Sequence, residues 1–260
     1  DPLISKWVAE LWGKIVGGKR LDLTAYDPNS RLVNADTLSH SNVREMGAEW
    51  MCYNTWQQLD LDKVLIDNGF SEHEVQLAQT QVISRAVNPA SELATARWIQ
   101  ENSAVMELTG YDPEKMNKDR LYKSALKLSS VKEKLEHHLS QKTNELFDIQ
   151  DKIMLYDLTN TYFEGEKRNS TLAKYGRSKE KRSDCKLVVL ALVVNIFGFI
   201  KHSSVHEGNF SDCKDIEKVI DSLDYATGTN KPVVVLDAGI ATKENLAIIR
   251  NKGYHYLCVS

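Results

Sequence analysis

The sequence predicts an α/β protein, a mixed β-sheet preceded by an all-helical region, on three observations. Up to about residue 150, apolar residues recur at intervals of three and four, the period of helices with one buried face. After Gln150 they gather into short β-branched or aromatic runs separated by turns and single helices, as in a layered α/β fold. Charge divides at the same place: residues 1–150 hold 17 basic and 22 acidic side chains, and residues 151–260 hold 16 and 14. Two domains are therefore expected, a helical N-terminal region over 1–150 and a sheet domain over 151–260.

Ile4, Trp7, Val8, Leu11, Trp12 and Ile15 form one helical stripe, expected to be core. Residues 17–40, with Gly17, Gly18, Pro28 and Asn29 and little periodicity, read as a long loop, and a helix is expected from Asn42 to Gln57. Ser71 and Glu74 make a capping box ahead of Val75, Leu77, Ala78, Val82 and Ile83. Asn88-Pro89 stops that helix, because a residue before proline is driven out of helical backbone. Another helix begins after Ser91, and Ser130 with Glu133 repeats the capping signature before Leu135, Leu139 and Leu146. The expected strands are Ile153 to Phe163, Leu187 to Ile196, Phe199 to His206, Val233 to Leu236 and Tyr254 to Val259, with a hairpin turn at Asn195 to Gly198. Ile216, Val219, Ile220 and Leu223 mark a helix capped by Ser211; Thr242 caps a second, which Gly253 ends. Three leading strands followed by alternating helices and strands suit a mixed sheet of the ribonuclease H type, whereas a doubly wound sheet would alternate from its first strand.

Over its 260 residues the chain has 33 Lys+Arg and 36 Asp+Glu, a net charge of −3, and 42% hydrophobic residues, which excludes disorder, collagen and coiled coil. Its longest apolar run, Leu187 to Val194 and on past Asn195 to Ile200, is shorter than the roughly 20 residues that span a bilayer. No basic-then-apolar signal segment opens the chain, so no membrane partner is expected. Cys52, Cys185, Cys213 and Cys258 form no C-x-x-C pair, which points to reduced thiols in a cytoplasmic protein rather than a disulfide framework or a zinc ribbon. The chain starts at Asp1 without Met and stops at Ser260 inside an expected strand, so a fragment of a longer protein is expected.

Positive charge is concentrated in one segment. Lys167, Arg168, Lys174, Arg177, Lys179, Lys181, Arg182 and Lys186, against Glu180 and Asp184, give +6 in 20 residues. A basic loop beside a strand-borne acid suits a phosphodiester-handling site, since Lys and Arg neutralise phosphates and hold the backbone in register. The alternative is a solvated loop. Asp157 follows Ile153-Met154-Leu155-Tyr156, and Asp237 follows Val233-Val234-Val235-Leu236. A carboxylate after a buried apolar strand belongs at the rim of the sheet, where strand ends form sites. Two of them on neighbouring strands can bridge hard divalent cations, and a metal pair about 4 Å apart can activate the attacking oxygen and stabilise the leaving one. Each aspartate can also be read as a turn former or a helix N-cap.

The string Tyr156-Asp157-Leu158-Thr159-Asn160-Thr161-Tyr162-Phe163-Glu164-Gly165 resembles the first catalytic strand of DDE-type bacterial insertion-sequence transposases, in the IS-four-like group. Further stretches agree in order. Gly176-Arg177-Ser178-Lys179-Glu180-Lys181-Arg182-Ser183-Asp184 resembles that group's Gly-x-Ser-Lys-x-x-Arg-x-Asp segment, and Glu207-Gly208-Asn209-Phe210-Ser211-Asp212 its Gly-Asn-x-Ser-Asp turn. Val235 to Thr242, then Glu244-Asn245-Leu246, resembles the second catalytic strand and its helix, and Tyr254 to Ser260 the strand after it. Arg85 to Pro89, Thr95 to Trp98 and Arg120-Leu121-Tyr122 are also similar, so the resemblance spans roughly residues 80–260. It implies a ribonuclease H-like core that binds two divalent ions (Mg²⁺ or Mn²⁺) through an Asp, Asp, Glu set, cleaves DNA at transposon ends and joins the freed 3′ hydroxyl to a target strand. By position Asp157 is the first acid and Asp237 the second. The third acid would lie beyond Ser260, and neither Glu164 nor Glu244 matches its place, so this chain alone is expected to be inactive. Lys174, Arg177, Lys179, Lys181 and Arg182 are the expected DNA contacts, and paired-end chemistry favours a homodimer on DNA.

Two rival readings remain. One is a catalytically inactive DNA-binding remnant. The other is a phosphohydrolase of the haloacid-dehalogenase type, whose aspartyl-phosphate motif Asp157-Leu158-Thr159-Asn160-Thr161 also resembles, with Asp157 as nucleophile. Elsewhere, His202 and His206 share a strand face beside Glu207 and can be read as a metal pair or as surface histidines. Glu136-His137-His138 lacks the spacing that puts two histidines on one helical face and reads as helix surface. Trp7, Trp12, Trp50, Trp56 and Trp98 fall at helical spacing and read as packing residues. Gly17-Gly18 follows no strand and forms no phosphate cradle.

Overall fold

The computed structural model describes residues 41–176, 183–210, 216–227 and 231–258, with side chains to 223 in the third stretch. The chain divides into two compact units, Asp1–Val43 and Arg44–Ser260, and every element below lies in the second. The stripe at Ile4 to Ile15, the loop at 17–40 and the Ser211 cap lie outside the described residues.

The helices of the first half are α1 (Gly47–Gln58), α2 (Leu61–Asp67), α3 (Glu72–Val87), α4 (Glu92–Glu101), α5 (Val105–Thr109), α6 (Lys118–Ser130) and α7 (Lys132–Phe147). Ser71 and Glu74 close the expected capping box on α3, and Asn88 ends it. Ser91 caps α4 by accepting from the Ala94 amide. Helix α3 is central, with Val75 and Ala78 in one core beside Trp56, Leu65 and Phe70, and Leu77 and Ile83 in another beside Ile99, Met106 and Leu121. A helix packed on two sides buries polar positions too, which is why Gln79, Thr80, Gln81 and Ser84 are inside.

The expected capping box of Ser130 and Glu133 does not form. The chain is already helical from Lys118, where Asn117 caps α6, so Ser130 is the last residue of that helix and donates to the Lys127 carbonyl. Val131, without a side-chain cap, is the single joint between α6 and α7.

The second half contains β1 (Ile153–Tyr162), β2 (Leu187–Asn195), β3 (Ile200–Glu207), α8 (Ile216–Thr227), β4 (Val233–Leu236), α9 (Lys243–Asn251) and β5 (His255–Cys258). They form a mixed sheet in the order β3-β2-β1-β4-β5. Strand β2 is antiparallel to β1 and β3, while β4 is parallel to β1 and β5. The β2–β3 hairpin closes through Gly198, whose φ of +84° suits glycine and whose amide donates to the Asn195 carbonyl at 2.9 Å. One sheet face, including Met154, Tyr156, Ala191, Val193, Val234 and Leu236, packs on Val219, Ile220 and Leu223 of α8 and Ile249 of α9. The alternation of β1 leaves Leu155, Asp157, Thr159 and Thr161 on the opposite, exposed face.

Helix α7 lies along the edge strand β3. Lys201 Nζ, wholly buried, reaches Asp151 at 2.7 Å, Ser140 Oγ at 3.0 Å and Asn144 Oδ1 at 2.7 Å. Glu136 accepts from the Ser203 hydroxyl and pairs with Lys132 at 3.0 Å. Glu136-His137-His138 is thus part-buried rather than helix surface: His138 Nε2 lies 2.6 Å from the Leu59 carbonyl, because this turn faces both β3 and the α1–α2 joint. No helix among the described residues is long and apolar enough to cross a membrane.

Candidate active site

The parallel β1–β4 ladder ends on the rung Tyr156–Leu236, and the next residue on each strand is an aspartate. Tyr156 and Leu236 both point into the core, while Asp157 and Asp237 are exposed. Neighbouring strands run about 4.8 Å apart, so the last paired rung leaves the two aspartates as the next residues on adjacent strands. Asp157 is not at a strand end. Strand β1 continues to Tyr162 because β2 goes on pairing with it, whereas β4 stops at Leu236.

Each carboxylate is oriented locally. Asp157 Oδ1 accepts from the Leu158 amide at 2.8 Å, and Asp237 Oδ1 from the Ala238 amide at 2.6 Å. Exposed carboxylates are hard oxygen donors, which suit Mg²⁺ or Mn²⁺, ions that complete their shells with water or phosphate oxygens. Among the described residues no group of three or more His, Cys, Asp and Glu is placed to hold a metal ion, so protein ligation there would rest on these two acids.

His202 and His206 do not form a metal pair. Four residues of strand separate them by about 13 Å. His202 Nδ1 lies 4.0 Å from Glu136 Oε2, while His206 bonds Ser204 Oγ at 2.8 Å and stacks on Phe210 at 4.1 Å. Trp56 lies in one helical core and Trp98 packs against the other, beside Ile99, as expected, but Trp50 is half exposed and stacked on Tyr53.

The basic segment leaves the sheet from the far end of β1. Phe163 donates to the Lys186 carbonyl at 2.8 Å, and Lys167 Nζ sits over the Phe163 ring at 5.0 Å. Arg168 pairs with Glu166. Lys174 exchanges backbone hydrogen bonds with Leu187, the residue opposite Tyr162. That rung is five residues, about 17 Å, beyond Asp157. Thr159 and Thr161 occupy the same open face between the two. Arg177, Lys179, Lys181 and Arg182 lie outside the described residues.

Sequence reasoning missed two features. Asn245, a polar residue on the buried side of α9, is signalled only by its place four before Ile249. The close approach of Gly176 and Gly208 is signalled only by two glycines in separate motifs.

No protein family model and no curated protein matches this chain. Among solved structures it is similar to the Mos1 transposase paired-end complex with left transposon end, at 11% identity and a TM-score of 0.31, over 70% of this chain and 57% of that one. It is similar also to the Mos1 mariner paired-end complex with Mn, at 9% identity and 0.31, over 70% and 58%. A third is a pre-cleavage Mos1 transpososome, at 8% identity and 0.30, over 70% and 58%. The chain therefore spans less than two thirds of the length of these neighbours, and at this level of likeness they assign no residue of it.

Proposed function

We propose that this chain carries the catalytic core of a DDE-type insertion-sequence transposase of the IS-four-like group, built on a ribonuclease H-like sheet. In this reading Asp157 and Asp237 hold divalent cations, and Lys174, Arg177, Lys179, Lys181 and Arg182 hold DNA, with a homodimer pairing two transposon ends. The observation that carries it is the rung Tyr156–Leu236, after which both strands place an aspartate. The five ordered motifs and a sheet with three leading antiparallel strands and two parallel ones support it.

Bound Mg²⁺ or Mn²⁺ would supply activation of the attacking oxygen and stabilisation of the leaving one. The chain's own part is to present two carboxylates on one side of the sheet and to neutralise the phosphates that approach them. The phosphohydrolase alternative gains no support, since among the described residues β1 is followed by antiparallel β2 and no helix stands between them.

The test is Mg²⁺-dependent cleavage of a duplex bearing the element's ends, using the gene product that contains this chain. Asp157→Asn and Asp237→Asn should each abolish cleavage while leaving end binding and the unfolding midpoint in place. Cleavage by both variants at the wild-type rate would overturn the assignment; end binding without cleavage in the wild type would favour the inactive remnant.

A further inference from the structure

We infer that Asn245 is the positioning residue of Asp237, acting through the turn that follows β4; this rests on the reading of Asp237 as a metal ligand. The two aspartates are held in unlike ways. Asp157 is inside β1 and its backbone is paired with Leu192 of β2. The β4 ladders end at Leu236 on both sides, with Tyr156 and Cys258 as last partners, so strand pairing does not fix Asp237. Its backbone is held by a turn instead. The amides of Ile240 and Ala241 donate to the Asp237 carbonyl at 3.0 and 3.2 Å.

That turn is closed from the helix side. Asn245 Nδ2 donates to the Ile240 carbonyl at 2.8 Å, beside a second bond from the Thr242 amide at 2.8 Å. Asn245's own amide donates to the capping hydroxyl of Thr242 at 3.2 Å. Asn245 is 1% exposed, and Ile240, at 2%, anchors the turn in the sheet's core. A buried primary amide is costly unless it is bonded, and leucine would fill the same volume without that cost. What leucine lacks is the donor that ties α9 to the turn. Groups bonded directly to a metal ligand commonly change affinity by about 10- to 100-fold when replaced; Asn245 reaches Asp237 one bond further out, through Ile240, so the low end of that range is expected.

The experiment is Mn²⁺ titration of the full chain, read by water-proton relaxation, together with hydrogen exchange of the Ile240 and Ala241 amides. Asn245→Leu removes the donor, and Asn245→Asp removes it at constant shape. Both should weaken Mn²⁺ binding by about 10-fold and speed exchange at the two amides. Thr242→Val removes the helix cap but keeps the Nδ2 bond; it should lower Tm without moving Mn²⁺ affinity. Wild-type Mn²⁺ affinity in both Asn245 variants, beside a weakened Asp237→Asn, overturns the inference alone. Wild-type affinity in Asp237→Asn overturns the ligand reading on which it rests.

Discussion

Gly176 packs against Gly208 at backbone distance. A Cβ on Gly176 would stand 1.8 Å from the Gly208 carbonyl oxygen, and one on Gly208 would stand 2.2 Å from the Leu187 carbonyl oxygen and 2.3 Å from that of Lys174. Space, not backbone angle, demands glycine at both positions. The contact joins the start of β2, the end of β3 and the segment before Arg177, where the Gly208 amide also donates to the Leu172 carbonyl at 3.1 Å. The basic loop therefore departs from a fixed base.

Gly208→Ala should destabilise the chain by about 1–3 kcal/mol, the usual range for forcing a methyl into filled space, because the atoms it meets are backbone and cannot swing aside. Gly47→Ala is the control. Nothing lies within 4 Å of a Cβ there, and alanine favours the helix, so its stability should be equal or slightly higher. Denaturant unfolding checks both. Equal midpoints for Gly208→Ala and wild type would mean that the base is not fixed.

The buried pair Lys201–Asp151 ties the α7–β1 connection to the β2–β3 hairpin. The side chains are 0% and 6% exposed, and Asn195 Nδ2 adds a bond to Asp151 Oδ1 at 3.0 Å. Lys201→Met strands a carboxylate and should cost about 3–5 kcal/mol, part of which Asp151→Asn in the same chain should restore. Burial pushes the Asp151 carboxyl up, but hydrogen bonds from Lys201, Asn144 and Asn195 outweigh it and hold the group below its usual range. A depressed carboxyl stabilises fully above its unfolded value, about pH 4, and that contribution is lost as pH falls through the folded value. The unfolding midpoint of wild type should therefore fall below about pH 4, and this pH dependence should be weaker in Asp151→Asn.

The strands were the legible part of the fold, since Val233 to Leu236 and the alternating β1 and β2 need only a period of two and turn residues to be read. Helices α2, α5 and α6 were not read. Asp60, at φ +52°, breaks the apolar pattern between α1 and α2 with no glycine or proline to announce it, and the Val131 joint mimics continuous helix. At the site, the two aspartates stand out because each follows an apolar run. What puts each one step past the same rung is the register of two strands about 80 residues apart in sequence. Asn245 and the Gly176–Gly208 contact depend on that tertiary arrangement, so no local spacing encodes them.

The capping box of α3 predicts a second acid sensitivity. The Lys127 ammonium, then the Ser71 amide and hydroxyl, hold Glu74 down to about 2. The contribution is present above Glu74's ordinary value of 4.5 and is lost as pH falls toward 2. Ser71→Ala removes the hydroxyl and should cost about 1 kcal/mol at neutral pH, the size of an N-cap deletion. Its loss of midpoint should shrink on acidification, because protonated Glu74 no longer gains from the box in either chain. A constant loss across that range would place the effect in packing rather than in the cap.

The basic loop gives the sharpest test of a DNA partner. A phosphate neutralised by Lys or Arg releases a counterion, so log affinity falls with log salt by about 0.9 for each contact. Replacing Arg177, Lys179 and Arg182 by Gln should weaken binding to any duplex and flatten that slope by up to about 3. Asp157→Asn serves as the contrast: it removes an acid from the open face without removing a phosphate contact, so its salt slope should stay at the wild-type value while cleavage is lost. Loss of affinity with an unchanged slope would point to a folding defect, which the unfolding midpoint would report. An unchanged affinity and slope would return the cluster to an ordinary solvated loop. Filter binding or fluorescence anisotropy between 50 and 200 mM salt, a range over which a protein with 6–10 phosphate contacts loses about 10³- to 10⁵-fold in affinity, separates these outcomes.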